Sequence, residues 1–272
     1  MNIKNLIPPI LIELVKRYKP NKEYESYSQA LQFCSTKAYQ NIELCNMIAD
    51  KTIIAAKKLK GKPFNLNPTS IFLLSAINSY LNVYSKKEII ILDFGGACGA
   101  HFFDIKRFIP DSISIKWIVV ETEQMVKSAI NKGLESEELK FVSSIDEIET
   151  KIDFIHSSCA LHYVPKPYEI INKLINIKAN WIFFNRMMFN RNDRDFITVG
   201  KSKLSSNGPG KLPKGYTDRI ISYPHQTFSF QKFNSEFLKN NFVNEWIFDE
   251  FSGSRQIGKE KIEGKGLLYI KK

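Results

Sequence analysis

Cysteine is scarce in this chain of 272 residues, and long apolar runs are missing. Cys34, Cys45, Cys98 and Cys159 lie far apart, with no Cys-x-x-Cys among them. That spacing speaks against a disulfide framework or a cysteine zinc site, and for reduced thiols in a cytoplasmic setting. The N-terminal stretch MNIKNLIPPILIELVKRYKP is broken by Pro8, Pro9 and Glu13, and no small-residue cleavage site follows it. It is therefore too short and too polar to span a bilayer, and it does not read as an export signal. Pro9 to Tyr18 fits an amphipathic helix packed on its own domain, with peripheral membrane contact the weaker alternative. Acidic residues are outnumbered, 28 against 39 Lys and Arg, for a net charge of +11. This excess is either lysine spread over solvated faces or a sign of an anionic partner. No dense basic run carries interleaved aromatics, which disfavours nucleic acid. Nothing in the sequence fixes an oligomeric state.

What is present is a 43% hydrophobic chain, enough for a sizeable core. It is organised around EIIILDFGGACGAHFF, Glu88 to Phe103. Three isoleucines and a leucine run into Asp93, and a turn with Gly95, Gly96 and Gly99 follows. The order is that of a buried strand, a tight turn and a helix start. Glycines let the backbone approach a ligand, and the helix start offers free N–H groups. A dinucleotide site wants Gly-x-Gly-x-x-Gly, and this turn lacks that spacing. A carboxylate at the strand end, Asp93, would repel a pyrophosphate but suit an ammonium and a sulfonium. S-adenosylmethionine carries both. Here the chain resembles the class I S-adenosylmethionine-dependent methyltransferases, whose first motif is apolar-apolar-apolar-Asp/Glu-x-Gly-x-Gly-x-Gly. Asp93, Gly95 and Gly99 match it, while the middle glycine position holds Ala97 beside Gly96. A second strand, IKWIVVE, ends at Glu121, where an acid would accept ribose hydroxyls.

Residues 22 to 60 show helical spacing, and Ser70 to Val83 reads as another helix, so residues 1–85 are expected to form a helical cap or a dimerisation arm. From residue 86 onward strands alternate with helices, which predicts a mostly parallel sheet. Further strands are LKFVSS, KIDFIHSS and ANWIFFNR. Residues 187–228, rich in Asn, Ser, Gly and Pro, read as an irregular excursion that binds the acceptor. A helix at Ser229 to Lys239 follows, then NEWIFDEF and KGLLYIKK as a closing hairpin with Ser252 to Gly264 as its loop. The expected fold is α/β: a Rossmann-like, seven-stranded class I methyltransferase sheet under an N-terminal helical cap.

Several stretches together are similar to a narrower family of methyltransferases that occur with surface-polysaccharide (O-antigen and capsule) biosynthesis. They are YESYSQAL, ILDFGGACGAHFF, WIVVE, HSSCALHYVPKPYEII, FNRMMFN, DFITVG, ISYPHQTFSFQKF and a Gly-Leu-Leu-Tyr ending. The double glycine at 95 and 96 fits this family. The resemblance implies an O-methyltransferase acting on a small or nucleotide-linked glycan precursor. Cofactor contacts are then expected from Asp93, Gly95, Gly96, Ala97, Gly99, Glu121, Ser144 and Ser158. A sugar hydroxyl needs a proton acceptor, and histidine suits that step near neutral pH. His162 and His225 are the candidates, each with a structural role as the alternative. His101, Tyr163 and Arg186 are expected on the substrate, Arg186 through a phosphate or carboxylate. His156 reads as a packed strand residue. Asp193 and Asp195 could hold Mg²⁺, but paired loop carboxylates are usually solvated, and no metal site is expected. A nucleic-acid methyltransferase, a non-catalytic partner of the same fold and an NAD-dependent oxidoreductase stay open as alternatives.

Overall fold

The computed structural model describes residues 22–34, 38–58, 67–250, 255–257 and 260–272. The helix expected over Pro9 to Tyr18 lies outside the described residues. Strand β1 (Glu88–Phe94) sits at the centre, parallel to β2 (Ser114–Val120) on one side and β4 (Phe154–Ser158) on the other. Beyond these lie β3 (Leu139–Val142) and β5 (Trp181–Asn190), also parallel. The long last strand, β10 (Glu260–Lys271), inserts antiparallel between β5 and β8 (Phe242–Asp249). The seven-strand order is therefore β3-β2-β1-β4-β5-β10-β8 with β10 alone reversed, the expected Rossmann-like methyltransferase fold.

The sheet also carries strands that the sequence reading did not anticipate. Residues 187–228 are not an irregular excursion. β5 runs on to Asn190, and β6 (Phe196–Lys203) and β7 (Ile220–Ser229) form an antiparallel hairpin with eight paired positions. β7 then docks against the end of β5 through Phe189 and Asn190. The closing loop is likewise shorter than expected, because β9 (Arg255–Ile257) pairs with the early half of β10.

Alternation along the strands fills two layers. Ile89 and Ile91 of β1 join one cluster, and Leu92 and Phe94 the other. Residues 22–60 are less continuous than their spacing suggests. A short helix, α1 (Tyr27–Leu31), starts at Ser26, whose hydroxyl accepts from Gln29 N. A 3-10 turn at Ala38–Gln40 precedes α2 (Ile42–Lys58). Helix α3 (Pro68–Tyr84) is capped by Asn67, which accepts from Thr69 N at 3.1 Å, with proline in its first turn. Leu44, Met47, Leu73 and Ile77 of α2 and α3 share one cluster with Ile89, Trp117 and Phe154 of the sheet. The remaining helices are α4 (Ala100–Lys106), α5 (Glu123–Asn131), α6 (Pro167–Asn176) and α7 (Phe230–Leu238). No helix among the described residues is long and apolar enough to cross a membrane.

Candidate active site

Parallel strands leave their carboxyl ends along one edge, where α/β sheets bind ligands. A cavity of about 500 Å³ opens there, at the ends of β1, β2 and β4. Gly95, Gly96 and Ala97 form part of its wall, with Glu121, Ser143 and Ser158 around them. The turn is tightly built. Gly95 takes φ 72°, and a Cβ there would fall 2.1 Å from Ala160 Cβ. A Cβ on Gly96 would meet Asp93 Oδ2 at 2.3 Å. Ala97, at the motif's middle glycine position, also takes a left-handed φ of 50°. Its N–H donates to Glu121 Oε1 at 3.1 Å, which ties the strained residue to the end of β2. Glu121 Oε2 accepts from Thr122 N at 2.9 Å. Burial pushes the Glu121 carboxyl up to about 7, against the pull of both N–H groups.

Three of the expected cofactor residues lie elsewhere. Asp93 does not line the cavity. It follows Ile89 and Ile91 on the helix-covered face of β1 and is fully buried. There it accepts from His156 Nδ1 at 2.8 Å and Trp117 Nε1 at 3.2 Å, with His101 Nδ1 at 3.5 Å. Burial raises the Asp93 carboxyl, but His156 and His101 outweigh it and hold the group well below its usual range. The ionised Asp93 thus ties β1 to β2 and β4 at the end of the strand that leads into the turn. Gly99 caps α4 and faces Leu139 and Phe141. Ser144 caps the 3-10 turn Ile145–Glu147, accepting from Asp146 N at 3.1 Å; its neighbour Ser143 is the serine that reaches the cavity. Ser158 lines the cavity, and its buried hydroxyl has no hydrogen-bond partner among the described residues.

A second hollow, about 980 Å³, adjoins the first and shares Tyr39, Cys159, Tyr163 and Arg186 with it. The β6–β7 hairpin supplies its far wall through Thr198 to Ser202, Tyr223 and His225. The rings of Tyr39, Tyr163 and Tyr223 stand together between the two spaces, with centroids 5.2 to 6.3 Å apart. Burial raises the Tyr39 and Tyr163 phenols above their ordinary value, so neither is a base near neutral pH.

The two candidate histidines separate cleanly. His162 is fully buried and lines neither space. Met188 N donates to its Nε2 at 3.0 Å, so Nδ1 carries the proton and donates to the Gln226 carbonyl at 2.6 Å. Both nitrogens are committed to backbone, and burial, then His225, holds its pKa well below the usual value. His162 is a structural residue, not a proton acceptor. His225 stacks on it at 5.0 Å and forms part of the wall of the second hollow. His101, Tyr163 and Arg186, the residues expected on the substrate, all line the first cavity, beside the glycine turn and Glu121. Asp193 and Asp195 hold the start of α7: Asp193 accepts from Ser229 Oγ and Gln231 N, Asp195 from Ser229 N and Lys232 Nζ.

The sequence reading missed Asp104 and Tyr39. Asp104 lies one turn after His101 on α4, lines the cavity and accepts from Ser70 Oγ at 3.1 Å. The i, i+3 spacing from His101 was the available signal.

The sequence matches no protein-family model, and no curated protein matches it. Solved structures of similar course exist. An S-adenosylmethionine-dependent methyltransferase from Clostridium acetobutylicum is 13% identical, with 82% of this chain and 98% of that one covered and a TM-score of 0.48. CalS10, an amino pentose methyltransferase from Micromonospora echinaspora, is 10% identical, covers 81% and 96%, and gives 0.49. CcbJ from Streptomyces caelestis, also a methyltransferase, is 9% identical, covers 83% and 98%, and gives 0.48. Likeness this distant says nothing of substrate or chemistry.

Proposed function

We propose that this chain is an S-adenosylmethionine-dependent O-methyltransferase acting on a surface-glycan precursor. One observation carries the cofactor half: the glycine turn and the Glu121 carboxylate face the same cavity at the carboxyl edge of the sheet, linked through Ala97 N–H. The site fits the cofactor chemically. Glu121 would accept ribose hydroxyls, the turn backbone would approach the amino-acid portion, and the Ser158 hydroxyl, unpartnered among the described residues, offers a further hydrogen bond. When bound, S-adenosylmethionine supplies the methyl group.

The acceptor half rests on the family resemblance of the sequence. In its favour, the second hollow adjoins the first across shared wall residues and is walled by tyrosine rings, which suit the apolar face of a sugar. His225 is the one histidine of the expected pair on that wall, and takes the proton if the acceptor is a hydroxyl. An ionised phosphate-type oxygen needs no base. The test is calorimetric titration with S-adenosylhomocysteine and with NAD, on wild type and Glu121→Ala. Micromolar binding of S-adenosylhomocysteine, weakened by the substitution and absent for NAD, is the expected result. Failure of the folded protein to bind it overturns the proposal.

A further inference from the structure

Arg186 stands where the two hollows meet, and lines both. It lies within β5 between buried Asn185 and buried Met187, yet is itself exposed. Its φ of 56° puts a Cβ-bearing residue in the left-handed region. Such an outlier persists only where the surroundings enforce it, and it points to a functional role. Here the enforcement is visible: Glu250, just beyond β8, reaches across and accepts the Arg186 N–H on Oε2.

The guanidinium has no ion pair among the described residues. Arg191, Arg194 and Arg219, by contrast, are each paired with glutamate. Glu250 engages the Arg186 peptide, and burial pushes its carboxyl up to about 7, so it does not fully cancel the guanidinium near neutrality. A second cation, exposed Lys201, lies on the hairpin wall of the same hollow, also without an ion pair among the described residues. An arginine fork matches the paired oxygens of a phosphate or carboxylate. A neutral acceptor filling the hollow would strip water from this charge and return nothing.

We propose that Arg186 binds a negatively charged group on the acceptor, so that the substrate is an anionic sugar rather than a neutral one. This deepens the methyltransferase reading and rests on it. A phosphate and a carboxylate share the required chemistry, and the experiment separates them. The full chain, saturated with S-adenosylhomocysteine, is titrated with glucose 1-phosphate, glucuronic acid and methyl glucoside. At least one of the anionic sugars is expected to bind about tenfold or more tighter than methyl glucoside. Arg186→Gln should abolish that advantage, and Arg186→Lys should restore part of it. Methyl glucoside binding as well as both anions would overturn the proposal. So would an advantage that survives Arg186→Gln, or a substitution that weakens S-adenosylhomocysteine instead, which would give the guanidinium to the cofactor. Wild type that binds no S-adenosylhomocysteine at all would strike the methyltransferase reading first, and is told apart by that titration alone.

Discussion

Glu121 accepts two backbone N–H bonds, and burial still pushes its carboxyl up to about 7 from 4.5. The folded chain therefore holds a proton that the unfolded chain has released. Native protein binds more protons than unfolded protein between those values, so stability falls as pH climbs through that window. Glu121→Gln removes the titration and keeps an oxygen for Ala97 N–H. Urea melts at pH 5 and pH 8 should show the variant gaining on wild type at the higher pH. Parallel behaviour would mean the carboxyl is not raised. His162 makes a contrasting case. His162→Ala leaves Met188 N–H and Gln226 C=O without their partner, and should cost about 2–4 kcal/mol of stability. A loss below about 1 kcal/mol would show that these backbone groups find other partners. Residue types alone could not separate His162 from His225. Both sit beside apolar and aromatic neighbours in sequence, and only the approach of β5 and β7 from far along the chain shows which ring is used up.

At the scale of elements, the parallel strands were legible because each is a short apolar run bounded by turn residues, and both faces of the sheet are covered. The β6–β7 hairpin was not. Its strands carry Thr198, Gly200, Lys201, Ser202 and Ser222, and they face a hollow on one side, so the apolar alternation is diluted. The Asn, Gly and Pro that suggested an excursion belong mostly to the long connection between the two strands. The same logic hid the role of Asp93. A strand-end carboxylate is equally consistent with facing a ligand or facing inward, and only strand register puts it beside His156. Within the hairpin, Gly200 lies opposite Tyr223, and a Cβ there would come 2.6 Å from Tyr223 Cε2. Gly200→Ala must therefore displace a ring that walls the second hollow. The expected outcome is a loss of about 1–3 kcal/mol in urea melts from overpacking. Affinity for S-adenosylhomocysteine should be unchanged, because neither residue lines the first cavity. A variant that loses that affinity would show the two spaces to be mechanically one.

The first cavity draws its wall from three distant parts of the chain: Tyr39, Ile48 and Ser70 before the sheet, the strand ends of its middle, and Ser206 to Pro209 after β6. Lys51 ties the first of these to the last. It is buried, and its ammonium donates to the Ser205 carbonyl at 2.8 Å and the Asn207 carbonyl at 2.6 Å. The described residues of α2 and α3 are thus bound into the molecule through both the core and the site wall. Removing it would expose Ile89, Ile91, Trp117 and Phe154, which are now covered by the layer that α2 and α3 help to build. Apolar burial contributes roughly 25 cal/mol per Å², and several large side chains would lose it together, against a total stability of only about 5–15 kcal/mol. A chain of residues 86–272 is therefore expected to show no cooperative thermal transition and to bind no S-adenosylhomocysteine. The full chain should instead gain about 2.7 kcal/mol at a ligand concentration one hundred times Kd. Hydrogen exchange should slow on binding in all three wall segments, including residues 206–209. Protection confined to the strand ends would show that the helical segment packs on the sheet without closing over the ligand, and a truncated chain that still folds would make residues 1–85 a separable cap.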